Sequence, residues 1–320
     1  MIAKRLLRRK KPDLVKEVFS SEKGSQDGPL SPQENLEGYS GLLKLATDLR
    51  ENYLKGGAMR SQRFLPNDKL EELVTKKIVL LALQETTIEQ QYHEDLASWV
   101  LESGKRLFLI LVLLTRRSAE QLSWLKKFKN DGINDSVLPL GFPDTEPCYG
   151  YSLAAAASAP AQAQAQAEDA RKFHSFKDWE DNNLILFQSY QWMFLAPVFG
   201  SSDKFCHQLS SEQPLPFLTL SERPTRGALG KTLYGELHPA HIDSQCLLAL
   251  GVNGPDLQVI PVSIKLVQPS DNLHPFFDIG TGNFKAAHPI ISPRRIRPIA
   301  AYKKNGDSFV IFRWVEGGNP

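Results

Sequence analysis

Cysteine is scarce in this chain, with three residues among 320: Cys148, Cys206 and Cys246. They are scattered and odd in number, so they offer neither a disulfide framework nor the close spacing of a metal-binding motif. This usage is typical of proteins in a reducing compartment. We therefore expect a cytoplasmic or nuclear location.

Long apolar runs are also missing. The longest, at residues 107–114 (LFLILVLL), has eight residues, against the roughly 20 that a membrane-spanning helix needs. Basic pairs flank it on both sides, at 105–106 and 116–117. We expect a buried helix segment or a core strand, and no membrane span.

Strong net charge is the third absence. The formal net charge is +2, with 42% hydrophobic and 23% charged residues, and this argues against a dedicated nucleic-acid binder. The first eleven residues nevertheless carry six Lys or Arg and no acid. We interpret residues 1–38 as a disordered basic tail. A nuclear or nucleic-acid-binding patch, or a targeting sequence, is the alternative interpretation.

Residues 39–150 predict a mainly helical domain. Apolar spacing favours a short amphipathic helix over 39–53. Asn67 or Asp68 is a candidate helix cap before the apolar stripe of 70–82. Further helical stretches follow at 93–100, 107–115 and 119–128. No catalytic constellation is evident in this region.

A low-complexity stretch rich in alanine and glutamine follows at residues 151–170. It has little apolar bulk to bury, so we interpret it as a linker between two domains. Alanine favours helix, and a semi-rigid helical spacer is therefore the alternative.

The remaining residues, 171–320, predict a small antiparallel sheet with one helix. Aromatic residues are dense from Phe173 onwards, and short β-branched apolar runs lie at 247–252, 257–267 and 309–315. Asn305-Gly306-Asp307 is typical of a hairpin turn. The predicted fold class is α+β, with a helical domain, a linker and an antiparallel-sheet lobe.

Several short motifs, in order, resemble a fungal family of protein-kinase-domain proteins with an N-terminal helical extension. The likeness spans most of residues 60–320. The matching segments are FLP at 64–66, QWMFLAPVF at 191–199, LHPAH at 237–241, IRPIAAY at 296–302 and VIFRW at 310–314. The resemblance implies that residues 171–320 form an incomplete small lobe of a kinase.

The resemblance also implies a nucleotide site. Its glycine-rich loop would contain Gly227 and Gly230, and the lysine of its third strand, which contacts the phosphates, would be Lys265 in VSIK. The glutamate that holds this lysine has no counterpart, since no glutamate lies between Lys265 and Glu316. Asp278 is the nearest carboxylate. ATP is the implied ligand, and Mg²⁺ is not expected without a catalytic lobe.

Other apparent motifs give weaker evidence of a functional site. Residues 278–280 (DIG) mimic the metal-binding Asp-Phe-Gly of kinases but follow Lys265 too closely, with no His-Arg-Asp between them. His238 and His241 lie three apart without further ligands, so a metal site is not expected. No Gly-x-Ser-x-Gly nucleophile elbow is present.

We therefore expect a degenerate kinase-like protein, truncated at the hinge. It would not transfer phosphate, and it would act as a scaffold or regulator with a protein partner. One alternative is a fragment of an active ATP-dependent serine/threonine kinase. The other is a helical interaction module that uses no nucleotide.

Overall fold

The computed structural model shows a mixed α+β protein in which most of the helices precede residue 191 and the main sheet follows residue 205. The predicted α+β class is confirmed in this form. The structure describes residues 41–55, 63–115, 119–143, 149–153, 172–201, 204–222, 232–251, 258–267 and 298–314. Most of the Ala/Gln stretch lies outside these ranges.

Eight α-helices fall within the described residues. They are α1 (Gly41–Asn52), α2 (Asn67–Leu73), α3 (Lys76–Gln84), α4 (His93–Ser103), α5 (Lys105–Leu114), α6 (Trp124–Asn130), α7 (Asp181–Tyr190) and α8 (Ser244–Ala249). Short 3-10 turns connect several of them. The turns that recur below are Asp135–Val137, His174–Phe176, Gln191–Phe194 and Pro239–His241.

Helix α5 is the core of the helical part, because every residue from 107 to 114 is buried. A helix that is apolar all round must be enclosed by other elements. Asp135 supplies acceptors at its first turn, where the backbone N–H groups of Arg106 and Leu107 donate to the carboxylate at 2.9 and 3.1 Å. The apolar run is thus a buried helix. Across the described ranges, no helix combines the length and apolarity needed to cross a membrane.

The predicted helices at 39–53 and 93–100 are confirmed as α1 and α4. The prediction of a cap at Asn67 or Asp68 is wrong. The N-cap of α2 is Pro66, which makes no side-chain hydrogen bond there. Helix α2 ends at Leu73. The side chain of Thr75 then caps α3 by accepting from the backbone N–H of Ile78.

Residues 172–195 lie against the helices. The ring of Phe176 packs 5.2 Å from that of Phe128 on α6, and the ring of Phe187 on α7 lies 5.4 Å from Phe176 (centroid distances). Both the backbone N–H and the hydroxyl of Ser175 donate to Asp131 at 2.8 and 2.9 Å. The aromatic segment that follows the Ala/Gln stretch is therefore part of the helical core.

Two two-residue ladders join loops of the helical part, β1 (Leu54–Lys55) with β2 (Arg63–Phe64) and β3 (Leu140–Gly141) with β4 (Tyr151–Ser152). The main sheet has six strands. They are β5 (Cys206–Gln208), β6 (Phe217–Glu222), β7 (Thr232–Leu237), β8 (Ile260–Leu266), β9 (Pro298–Lys304) and β10 (Asp307–Arg313). Their order is β5-β9-β10-β8-β7-β6, and all pairs are antiparallel except β5 with β9.

The hairpin between β9 and β10 is confirmed. Lys304 pairs with Asp307, and the two residues between them, Asn305 and Gly306, have φ of 55° and 88°. Two successive positive φ angles are the requirement of a type I′ turn, which Asn-Gly meets at low cost. The predicted strands at 257–267 and 309–315 are confirmed as β8 and β10.

The predicted strand at 247–252 is wrong, because residues 244–249 form helix α8. The carboxylate of Asp243 accepts from the backbone N–H groups of Gln245 and Cys246 at 3.0 and 3.4 Å. This N-cap fixes the start of the helix. Three leucines close together produced the apolar run that favoured a strand.

One face of the main sheet carries its larger core. Ile260, Val262 and Ile264 of β8 contribute alternate residues to it, and Phe199 and Ile242 pack on them from outside the strands. Because successive side chains of a strand point to opposite faces, Ser263 and Lys265 belong to the other face.

Candidate functional site

Lys265 lies in the middle of the sheet. It pairs with Thr232 of β7 on one side and Val310 of β10 on the other, and its side chain is half-buried. Strand β8 is the third, in chain order, of the five antiparallel strands β6 to β10. Lys265 therefore lies on the third of these five strands in chain order.

The face that carries Lys265 is partly apolar. Val267, Ala301 and Val310 form a small buried cluster there, with Phe205, Cys206 and Phe312 packed at its edge. Ser263, two residues before the lysine, has no exposed surface. The lysine therefore stands between an apolar cluster and a covered polar position.

A polar and aromatic group lies next to it on the same face. The rings of Tyr234 and Trp314 meet edge to face with centroids 5.1 Å apart. The Tyr234 hydroxyl donates to Glu236 at 3.4 Å, and the Thr219 hydroxyl donates to the same carboxylate at 2.9 Å. These four residues form a connected row that runs from β6 across β7 to the end of β10. We call it the Tyr234–Trp314 row.

Lys265 is the only one of the four predicted site residues that the structure describes. Gly227, Gly230 and Asp278 lie in 223–231 and 268–297, outside the described ranges. The glycine segment, residues 226–231, leads into β7. Within β7, a Cβ on Gly235 would come within 3.0 Å of Leu220 and 3.1 Å of Ile264. This glycine serves the close packing of neighbouring strands.

Three of the five motifs that suggested the resemblance meet at one place, which we call the motif junction: residues 64–66, 191–199 and 237–242. The ring of Phe64 lies 5.3 Å from that of His241, nearly perpendicular to it. The backbone N–H of Leu65 donates to the backbone carbonyl of Met193 at 2.8 Å. The backbone N–H of Phe199 donates to the backbone carbonyl of His241 at 2.9 Å. The junction ties the helical part to the end of β7.

Two buried histidines flank Phe199. Nδ1 of His241 lies 3.1 Å from the carbonyl oxygen of Pro197, so it carries the proton and donates. Nε2 of His241 and Nε2 of His207 are buried without a partner among the described residues. Burial lowers the pKa of both imidazoles to about 4. Both are neutral side chains of the core at neutral pH.

Gln191 joins the junction to the ladder of β3. Its side-chain oxygen accepts from the backbone N–H of Leu140 at 2.7 Å, and its nitrogen donates to the carbonyl of the same residue at 2.8 Å. The side chain is fully buried. It acts as a peptide-like bridge that satisfies both backbone groups of Leu140.

Lys304 is a buried cation that the sequence did not single out. It ends β9 and is 3% exposed. Its ammonium group donates to the backbone carbonyls of Ser210, Ser211 and Gln213 at 2.8, 2.9 and 2.6 Å. It fixes the loop between β5 and β6, and a lysine beside a hairpin gives no sequence signal of this role.

His238 and His241 do not make a metal centre with other groups in the described ranges, where no set of three or more His, Cys, Asp or Glu side chains could hold a metal ion. Comparisons of the chain with protein-family models, with curated proteins and with solved structures find no match. Function must therefore be argued from the arrangement of the residues.

Proposed function

We propose that residues 204–314 are a kinase-like small lobe that binds the phosphate groups of a nucleotide at Lys265, and that this chain does not transfer phosphate by itself. Its role would be regulatory, exerted through a protein partner that responds to the bound ligand. The observation that carries the proposal is the position of Lys265 in the order of the strands.

In a protein kinase, a glycine-rich loop precedes the third strand, and a lysine on that strand contacts the phosphates. Here β6 is followed by the glycine segment, then β7, then β8 with Lys265 opposite the first residue of β7, Thr232. The chain order and the register both bring the lysine beside the strand that the glycine segment enters. An ammonium group at that point can neutralise a phosphate as a point charge.

The proposed inactivity follows from missing charges. Phosphoryl transfer depends on positioning and on metal electrostatics, supplied by a catalytic aspartate, an asparagine and a metal-binding aspartate. The 320 residues contain no His-Arg-Asp and no Asp-Phe-Gly sequence, and no glutamate lies between Lys265 and Glu316 to hold the lysine. Binding without transfer is the chemistry that remains.

The experiment measures thermal unfolding of the full chain with increasing ATP, for the wild type and for Lys265→Met. A ligand at ten times its Kd stabilises the folded state by about 1.4 kcal/mol, which corresponds to a rise in Tm of a few degrees for a chain of this size. We expect that rise in the wild type and its loss in Lys265→Met. Lys77→Met, at an exposed position of α3, is the matched control and should keep it.

Phosphate transfer is measured in parallel, with radiolabelled ATP, magnesium and a generic protein substrate. We expect no incorporation above the no-enzyme control. Transfer that depends on Lys265 would instead support an active kinase. An absence of any ATP effect on Tm, or an effect retained in Lys265→Met, would reject the nucleotide site and favour the helical interaction module.

A further inference from the structure

The Tyr234–Trp314 row lies on the same face as Lys265. Tyr234 pairs directly with Ser263, which is two residues from Lys265, and directly opposed residues share a face. The backbone N–H of Trp314 donates to the backbone carbonyl of Pro261 at 3.0 Å. The Tyr234 position is therefore about 7 Å from that of Lys265 along the strand, and the Trp314 position about 13 Å.

The two rings are held in place. Tyr234 is tied to Glu236 through its hydroxyl, and Glu236 is tied to Thr219 on the neighbouring strand. Trp314 closes against the Tyr234 ring with an interplanar angle of 86°. Ser263, at the foot of this pair, is 0% exposed. The two rings therefore occupy the surface of the sheet beside Ser263.

The position of Lys265 on its strand decides where the rest of a ligand would extend. Lys265 pairs with Thr232, the first residue of β7, and β8 ends one residue after the lysine. A phosphate bound by the ammonium group would therefore lie at this end of the two strands. The sugar and base of a ligand that stays on the sheet would extend the other way, toward Tyr234 and Trp314.

The charge on that side agrees with this direction. The carboxylate of Glu236 lies on the same face, two residues beyond Tyr234, and would repel a phosphate placed there. The anionic end of a ligand is therefore directed to Lys265 and away from the aromatic pair.

We propose that Tyr234 and Trp314 fill the position that the base of a nucleotide would occupy, so that the site around Lys265 binds a polyphosphate group and does not distinguish among bases. This inference rests on the proposed function, since it needs phosphate binding at Lys265. Inorganic tripolyphosphate and nucleoside triphosphates would then be equivalent ligands.

The test is isothermal titration of the full chain with ATP, CTP and tripolyphosphate, without divalent cations and at matched ionic strength. In the wild type, we expect the three Kd values to agree within about threefold. Tyr234→Ala should open the position, and ATP should then bind at least tenfold more tightly than tripolyphosphate. Tyr234→Phe keeps the ring and should behave as the wild type. Trp314→Ala is a second opening variant, at the end of the strand, where unfolding is less of a concern.

The outcomes separate this inference from the proposed function. Loss of tripolyphosphate binding in Lys265→Met supports the site itself, whatever the base preference. The filled-position inference is overturned if the wild type already prefers ATP to tripolyphosphate tenfold and either alanine variant weakens ATP, because the rings would then be a stacking platform. It is also overturned if neither alanine variant gains any preference for ATP. Binding of ATP in the alanine variants alone would contradict the equal affinities expected of the wild type and would overturn the inference. Binding of no ligand to any form would reject both the site and this inference.

Discussion

The ring of His241 stands perpendicular to that of Phe64, with centroids 5.3 Å apart and planes at 89°. The two residues are 177 positions apart in sequence. Phe64 lies in the first ladder, on β2, and His241 lies in the 3-10 turn that follows β7, the strand that pairs with β8. This contact makes the end of β7 dependent on the helices.

Truncating Phe64 should be costly, because its side chain is completely buried. We expect Phe64→Ala to lower the free energy of unfolding by about 3–5 kcal/mol, the usual effect of a large cavity. Urea denaturation measures it. Leu81→Ala, at a side chain that is 45% exposed, is the control and should cost much less. A loss below about 1 kcal/mol for Phe64→Ala would mean that the contact does not hold the junction.

Acid should destabilise the fold through His207 and His241. Burial lowers the pKa of each to about 4, while an unfolded histidine titrates near 6.5. Between these pH values the unfolded chain binds more protons than the folded chain. The stabilisation that comes from keeping the two histidines neutral is therefore full above pH 6.5 and is lost as the pH falls toward 4. Each histidine can contribute up to about 3 kcal/mol to this loss.

Denaturation curves between pH 7 and pH 4.5 measure this slope. His207→Gln and His241→Gln should each flatten it, whatever their effect on stability at pH 7. His174→Gln, at an exposed position, should leave the slope unchanged. Equal slopes in all three variants and the wild type would show that these buried imidazoles do not control the acid response.

The bridge made by Gln191 gives a third prediction. Gln191→Leu keeps the volume but removes the partners of both backbone groups of Leu140. Leaving a buried donor and acceptor unpaired costs about 1–3 kcal/mol for each group. We expect a loss of about 2–5 kcal/mol in urea denaturation. Gln188→Leu, one turn earlier on the exposed side of α7, is the control, and a loss no larger than that of the control would contradict the bridge.

The role of Lys304 can be tested against the same substitution at its neighbour, Lys303. Burial lowers the pKa of Lys304 to about 8, so its ammonium is still mostly protonated at pH 7 and donates to three carbonyls. Lys304→Met retains the apolar stem and removes those donors, and we expect it to cost about 1–3 kcal/mol. It should also increase hydrogen exchange or proteolysis at residues 210–213. Lys303→Met should do neither; similar effects of the two substitutions would reject this role.

Local signals explain the elements that the sequence predicted correctly. Asn305-Gly306 determines the hairpin by its turn chemistry, and the β-branched run of β8 predicts a strand without tertiary information. Asp243 was a signal for helix α8 that the strand prediction overlooked. An aspartate just before a short leucine-rich segment is typical of a helix N-cap. The eight-residue run of α5 has no periodicity, so pattern alone could not decide between helix and strand.

The candidate site could be predicted only in part. Lys265 is proposed because its strand resembles a short known motif. The Tyr234–Trp314 row was not found, since it depends on the register of β7 against β8 and on where β10 ends. Contacts such as Phe64 with His241 join distant parts of the chain, and no local pattern encodes their pairing.

The most direct test of the central claim is chemical labelling of Lys265 with an acyl-phosphate derivative of ATP, which acylates amines next to bound phosphates, followed by peptide mass spectrometry. We predict that Lys265 is labelled above surface lysines such as Lys77, and that an excess of ATP or tripolyphosphate protects it. Labelling of Lys265 no greater than that of Lys77, or labelling that neither competitor reduces, would contradict a phosphate-binding site at this residue.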